Sequence, residues 1–356
     1  MDIQNEKAFE RELIKRVNTY LKSQPHNRFA TLAFFTKSVV MALFMWGTFA
    51  LLIFSHPPIW LSMVYWVLLG LATAGIGMNV MHDANHDAVS ENKKVNQLFG
   101  ASLYLLCGNV LNWKIQHNHL HHNYTNEYGI DEDVNTHGLI RLHPEENWKK
   151  MHRFQHWYGP FLYGLLTLNW AFQKEFRQLF EYKKRGLTDR FGGSFTRELL
   201  ILGVSKAFYF FLFIGLPVWV GGFSIWWVIP GFALMHFVAG VVLSFIFQLA
   251  HVVPDVETER LTKVRAIHQL NTTANFSTDS KLITWLVGGL NFQVEHHLFP
   301  GVCHVHYPHI NKIVRETTRE YGVSYYEHGR FFKALVGHMK YLKALGNIPS
   351  LQRAAQ

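Results

Sequence analysis

The residues of this chain best suited to chemistry are its histidines, 22 in 356 residues. Many stand in short clusters where long apolar runs end. His82 and His86 lie in MHDANHD, His117, His121 and His122 in QHNHLHHNYTN, and His296 and His297 in NFQVEHHLFP, while His251 stands alone at the end of SFIFQLAH. Neutral imidazole binds iron, copper, nickel and zinc, so the pattern indicates metal binding and leaves the metal open. On an α-helix, residues four apart share a face. His82 with His86, and His117 with His121, can therefore each hold one metal from one side. Adjacent residues point about 100° apart, so His121/His122 and His296/His297 suit two metals rather than one.

Several neighbours could serve the same centre. Gln293 precedes His296 and His297 by three and four positions and either binds metal or orients a ligand. Asp83 and Asp87 could steady an imidazole through its second nitrogen, cap a helix or face solvent. His119 points away from the His117/His121 face and is left out. His304, His306 and His309 in GVCHVHYPHI are read as surface and interface packing, and Asn271 and Asn275 in NTTANF as holding backbone, a water or a turn.

The elements that must position these residues follow from charge. Of the residues, 49% are hydrophobic and 15% aromatic, yet neither Lys nor Arg occurs from Val39 to Glu91 or from Ala207 to Glu259. Each block is interrupted near its middle by a turn, SHPPIW or VGGFSIW. About 20 apolar residues cross a bilayer as helix, so each block reads as a transmembrane hairpin. The alternative, buried helices of a large soluble protein, does not explain runs this long without charge. The expected architecture is an all-α integral membrane protein forming one domain over 1–356. Four spans lie near 36–56, 59–81, 198–219 and 224–250, with a helical cap carrying the histidines.

The net charge of +9 resides outside the spans, so the positive-inside rule places 1–35, 82–197 and 251–356 in the cytoplasm. The basic surplus is read as attraction to membrane and partner, with no nucleic-acid role. Lys206, near the start of the third span, is expected to snorkel to the interface. Cys107 and Cys303 suggest neither a disulfide framework nor a CxxC metal site. The charged N-terminus is no signal peptide. Residues 2–24 form an amphipathic helix, lying on the membrane surface or packed on the cap. QLFGASLYLLCGNVLNW is taken as a re-entrant or interfacial helix, because a further span would separate the histidine clusters across the bilayer, and PFLYGLLTLNWAF, too short to span, as another interfacial helix.

HDANH, HNHLHHNYTN, FQLAH, NTTANF and QVEHHLFP, in this order, resemble the membrane-bound fatty acid desaturases over roughly residues 60 to 325. In that family the third box usually begins with His; here it begins with Gln293, which resembles the front-end (delta-6-like) desaturases. The resemblance implies two non-haem irons held by His82, His86, His117, His121, His122, His296 and His297, with His251 completing the set. It also implies O2 as co-substrate and insertion of a cis double bond into a fatty acyl lipid or acyl-CoA. Front-end relatives often carry a fused cytochrome b5 domain marked His-Pro-Gly-Gly, absent here. Electrons are accordingly expected from a separate donor of ferredoxin or cytochrome b5 type. Trp113 and Trp285 are candidate walls of the acyl channel, or interface anchors. Other readings are a di-iron lipid hydroxylase or epoxygenase, a sphingolipid desaturase, or a non-enzymatic metal or haem carrier. A bacterial inner membrane is the expected location.

Overall fold

The computed structural model describes residues 2–258, 262 and 264–347; the last residues of the 251–356 segment lie outside them. Four helices are long and apolar enough to cross a membrane: Leu32–Phe54, Ile59–Asn85, Phe195–Trp219 and Ile225–His251. These are called the first to fourth spans. The first begins four residues earlier than the charge pattern suggested, and the second continues to Asn85. Between the third and fourth spans Gly222 turns the chain at φ +70°, a conformation that costs glycine little.

The second and fourth spans pack most closely, because small residues let their backbones approach. A Cβ on Gly70 would stand 2.5 Å from the Met235 carbonyl. Met45, Leu69, Trp66, Phe213, Met235 and Leu243 fill the core between spans. Outward-facing Leu43, Leu51, Phe208, Trp219 and Trp226 are exposed, the distribution that a lipid surround permits.

Outside the spans the structure amends several expectations. The N-terminal helix Ile3–Ser23 buries Phe9, Leu13, Val17 and Leu21 against Leu270, Ile310 and Val314. It packs on the cap, because its apolar stripe matches that of Tyr307–Tyr321. After the second span the chain forms a helix at Lys93–Gly100, a tighter stretch at Ala101–Leu106 and a left-handed residue at Cys107 before Val110–Trp113. None of these pieces is long enough to span a bilayer. Residues Gln155–Gly164 and Leu166–Asn169 pack on the fourth span.

Lys206 does not snorkel. Its side chain is buried and its Nζ donates to the carbonyls of Cys107 at 3.0 Å and Trp170 at 2.8 Å. Two ends of broken helix thus supply acceptors that a bilayer cannot. The all-α reading also acquires one short parallel pair, β1 (Ala274–Phe276) with β2 (Tyr326–His328). It ties NTTANF to the C-terminal segment.

Candidate metal centre

Two π-helical stretches shape the site. The second span passes through one at Gly77–Met81 just before His82, and Lys114–His121 forms the other. In a π-helix hydrogen bonds run from i to i+5, and the His122 N–H accordingly bonds to the His117 carbonyl. That winding changes which histidines meet. His117 and His122 come together, their Nε2 atoms 3.2 Å apart.

The side chains converge in three overlapping sets, each with its ligand atoms within 4.8 Å of one another: His82, His86, His117 and His296; His121, His251 and His297; and His122 with His296 and His297. The His82 and His117 Nε2 atoms are 3.2 Å apart. His117 falls in the first of these sets and His121 in the second, as the π-helical winding directs them. His121 does lie with His117 in a further set that includes Asp133.

Four of the rings have their outer nitrogen held by protein. His121 Nδ1 donates to Asp131 at 3.0 Å, and His297 Nδ1 to the Gln269 side-chain carbonyl at 2.7 Å. His251 Nδ1 donates to the Thr272 carbonyl at 3.2 Å. His296 Nδ1 meets the Tyr307 hydroxyl at 3.2 Å. The inward Nε2 atoms of His86, His251, His296 and His297 are buried and have no hydrogen-bond partner among the described residues. Burying an unpaired polar atom costs about 1–3 kcal/mol, and four converging ones fit a metal-bound state. Imidazoles backed by a carboxylate, an amide and carbonyls form the donor set that borderline metals favour.

Electrostatics agree. Burial first, then neighbouring imidazoles, holds His86, His117, His122, His296 and His297 below the ordinary histidine range, so they are neutral and ready to ligate. His121 differs. Burial opposes its charged form, but the Asp131 carboxylate outweighs it and pushes the group up to about 9. A metal at Nε2 would take the place of that second proton.

A family model for fatty acid desaturases matches residues 58–329. The chain belongs to the fatty acid desaturase family. It is 32% identical to the sn-1 linoleoyl-lipid 6-desaturase of Arthrospira platensis, over 98% of this chain and 95% of that one. It is 32% identical to the protein of the same name from Synechocystis, over 96% of each. An acyl-lipid (8-3)-desaturase of Dictyostelium discoideum is 30% identical over 96% of this chain and 76% of its own length. The protein is thus a fatty acyl desaturase, an oxidoreductase of the membrane whose clustered histidines suit a metal site.

The remaining candidates separate by burial. Trp113 lies in the desaturase core, its ring 4.5 Å from that of His117 and 5.4 Å from that of His86. Trp285 is 43% exposed, with Lys37 Nζ 5.3 Å from its ring centre, the setting of an interface anchor. Gln293 is buried and its Nε2 has no partner among the described residues. Asp83 is buried and accepts from the His304 ring at 2.8 Å and the His304 N–H at 3.0 Å, with His82 Nδ1 at 3.6 Å. His304 is therefore no surface residue. Asp87 is 61% exposed and faces Lys114 at 3.7 Å, so it is a solvated charge. His119 rests on Phe191, ring centres 5.0 Å apart.

Asp131, Gln269, Tyr307 and His304 were not legible as partners of the site. Only Asp131 carried a signal, the acidic run Asp131, Glu132 and Asp133 close after the second box. Asn275 received one of its expected roles: its side-chain oxygen accepts from the Val294 N–H at 2.8 Å, fixing the start of the helix Gln293–Leu298. Its amide nitrogen donates to Glu295 at 2.7 Å. Burial pushes that carboxyl up to about 7.

Proposed function

We propose that this desaturase inserts a cis double bond on the carboxyl side of an existing one in the acyl chain of a glycerolipid, at the sixth carbon as in its cyanobacterial relatives. The observation that carries the reading is the convergence of buried, unpartnered Nε2 atoms inside a chain that matches those relatives almost end to end. His82, His86, His117, His121, His122, His251, His296 and His297 would hold two irons, with Gln293 beside them. Bound there, iron supplies the oxygen activation and one-electron chemistry that side chains lack.

The chain's own residues do the rest. Asp131, Gln269, Tyr307 and the Thr272 carbonyl fix the rings of His121, His297, His296 and His251 so that Nε2 faces inward, which limits reorganisation during turnover. Trp113 covers one side of the cluster with an apolar face that would seat a methylene pair and exclude water. Per turnover the acyl chain gives up two hydrogens. These, with O2, two electrons and two protons, make two waters. The electrons come from a separate one-electron donor, and the basic excess outside the spans supports a cytoplasmic site at a bacterial inner membrane.

The test is fatty-acid profiling by mass spectrometry of cells expressing the chain with an electron donor and linoleic acid. The expected product is a new double bond at the sixth carbon. A hydroxylated acyl chain would overturn the reaction assignment.

A further inference from the structure

The proposed reaction consumes two electrons, so a donor has to approach the histidine cluster from outside. The helix carrying His117, His121 and His122 has one flank that reaches the surface. Its Ile115 and Leu120 pack on Tyr182 and Leu187, which belong to the helices Glu175–Lys184 and Leu187–Arg190. Those helices form a basic face directly over the ligand-bearing segment. Between Lys174 and Glu198 there are seven Lys or Arg and four Asp or Glu. Lys183 pairs with Asp189 at 2.8 Å and Arg185 with Glu181 at 3.5 Å. Among the described residues no carboxylate pairs with Lys184 or Arg190.

Next to Arg190 an aromatic side chain is left exposed. Phe191 is 38% exposed, has the Arg190 guanidinium 5.9 Å from its ring, and touches the His119 ring from below. His119 is two residues from His117 and two from His121, and only partly buried. Arg185 and Arg190 are close enough for their charge to act on it. An exposed aromatic flanked by arginines is the composition of an interface centre, and surplus positive charge selects an acidic partner and steers it.

We infer that the surface carrying Phe191, with Arg185 and Arg190 beside it, is the docking site for an acidic one-electron carrier protein. The donor visits twice per turnover, giving up one electron each time, and the path inward begins at the ring contact between Phe191 and His119. This rests on the desaturase reading above.

The test uses the full chain in phosphatidylcholine nanodiscs and an acidic [2Fe-2S] ferredoxin as probe. Its Kd is measured across ionic strength, and a single turnover is measured separately by reducing the protein under argon with two electron equivalents of dithionite and then admitting O2. R185E/R190E should weaken the Kd at least about tenfold and flatten its salt dependence, and Phe191→Ala should weaken it several-fold. Iron content and dithionite-driven turnover should stay unchanged. The control pair K312E/R319E, exposed cations on Tyr307–Tyr321, should bind like wild type. The inference is overturned if R185E/R190E leaves the Kd within about twofold, if the control pair weakens it equally, or if the effect requires anionic phosphatidylglycerol in the disc. Absence of product with dithionite in the wild type would instead reject the desaturase reading, whatever the Kd shows.

Discussion

Replacing Asp131 by asparagine tests how the outer hydrogen bonds govern the metal site. The Asp131 side chain is buried, and both of its oxygens are in use. One accepts from His121 Nδ1 at 3.0 Å and from the Asn126 N–H at 2.9 Å; the other accepts from the Asp133 N–H at 3.0 Å. An amide of the same shape has only one accepting atom. If that oxygen faces His121, the amide nitrogen meets the Asp133 N–H, donor against donor; if it faces Asp133, two donors confront the amide nitrogen. Either way at least one buried donor loses its partner, at about 1–3 kcal/mol. The imidazole also loses the nearer of two carboxylates that raise its basicity, Asp133 remaining at 3.4 Å. Both effects fall on the set His121, His251 and His297. Affinity for one metal should therefore drop about 10–100-fold, equivalent to about 1.4–2.8 kcal/mol, while the set His82, His86, His117 and His296 keeps its own. The assay is iron per chain for nanodisc-embedded protein titrated against a competing chelator. The expected result is a plateau near one iron for Asp131→Asn where the wild type retains two, with Asp87→Asn, an exposed neighbour of Lys114, like wild type. Equal loss of both irons, or no loss, would refute the division into sets and the role given to Asp131.

Three further outcomes follow from the same geometry. His296→Ala should abolish desaturation and lower iron content while the protein still accumulates in the membrane, because His296 belongs to two of the three sets; iron analysis of the membrane fraction checks it. Lys206→Met should leave the Cys107 and Trp170 carbonyls without their cation and lower stability by about 1–3 kcal/mol with iron retained, read by thermal unfolding in detergent. In the metal-free protein, His86, His117, His122, His296 and His297 lie below the ordinary histidine value, so the unfolded chain protonates first. Stability should then fall as the pH drops below about 6.5. His121, pushed up to about 9, acts oppositely: its contribution is full below about 6.5 and is lost as the pH rises through about 9. Unfolding temperatures across that range test both signs.

The spans were legible because hydropathy and missing charge are one-dimensional signals: a stretch without Lys or Arg from Val39 to Glu91 requires no knowledge of partners. Lys206 shows where that legibility ends. Its place in the span suggested snorkelling, but the carbonyls that accept its protons come from Cys107 and Trp170, in a turn and a short helix whose proximity arises only from tertiary packing. The N-terminal helix gives the same lesson. Its apolar stripe was plain, yet membrane and cap are equally apolar destinations, and the matching stripe on Tyr307–Tyr321 decided between them.

Within the site, residue types could be read from the sequence and angular placement could not. Counting by fours presumes an α-helix, which fails where a π-turn takes up an extra residue. At Lys114–His121 the altered winding brings His117 to His122 and sends His121 toward His251 and His297. The Gly77–Met81 stretch lies just upstream of His82 in the same way. Placing such a stretch immediately before a ligand redirects it without moving the helix axis, and the bulged backbone is stabilised by contacts from elsewhere. Asn79 illustrates this: its side chain donates to Gly75 within its own helix at 2.8 Å and to Leu286 near the third box at 2.9 Å. The bulge that aims the first box is thus pinned by the segment that carries the third, and neither box alone contains the geometry that the two produce together.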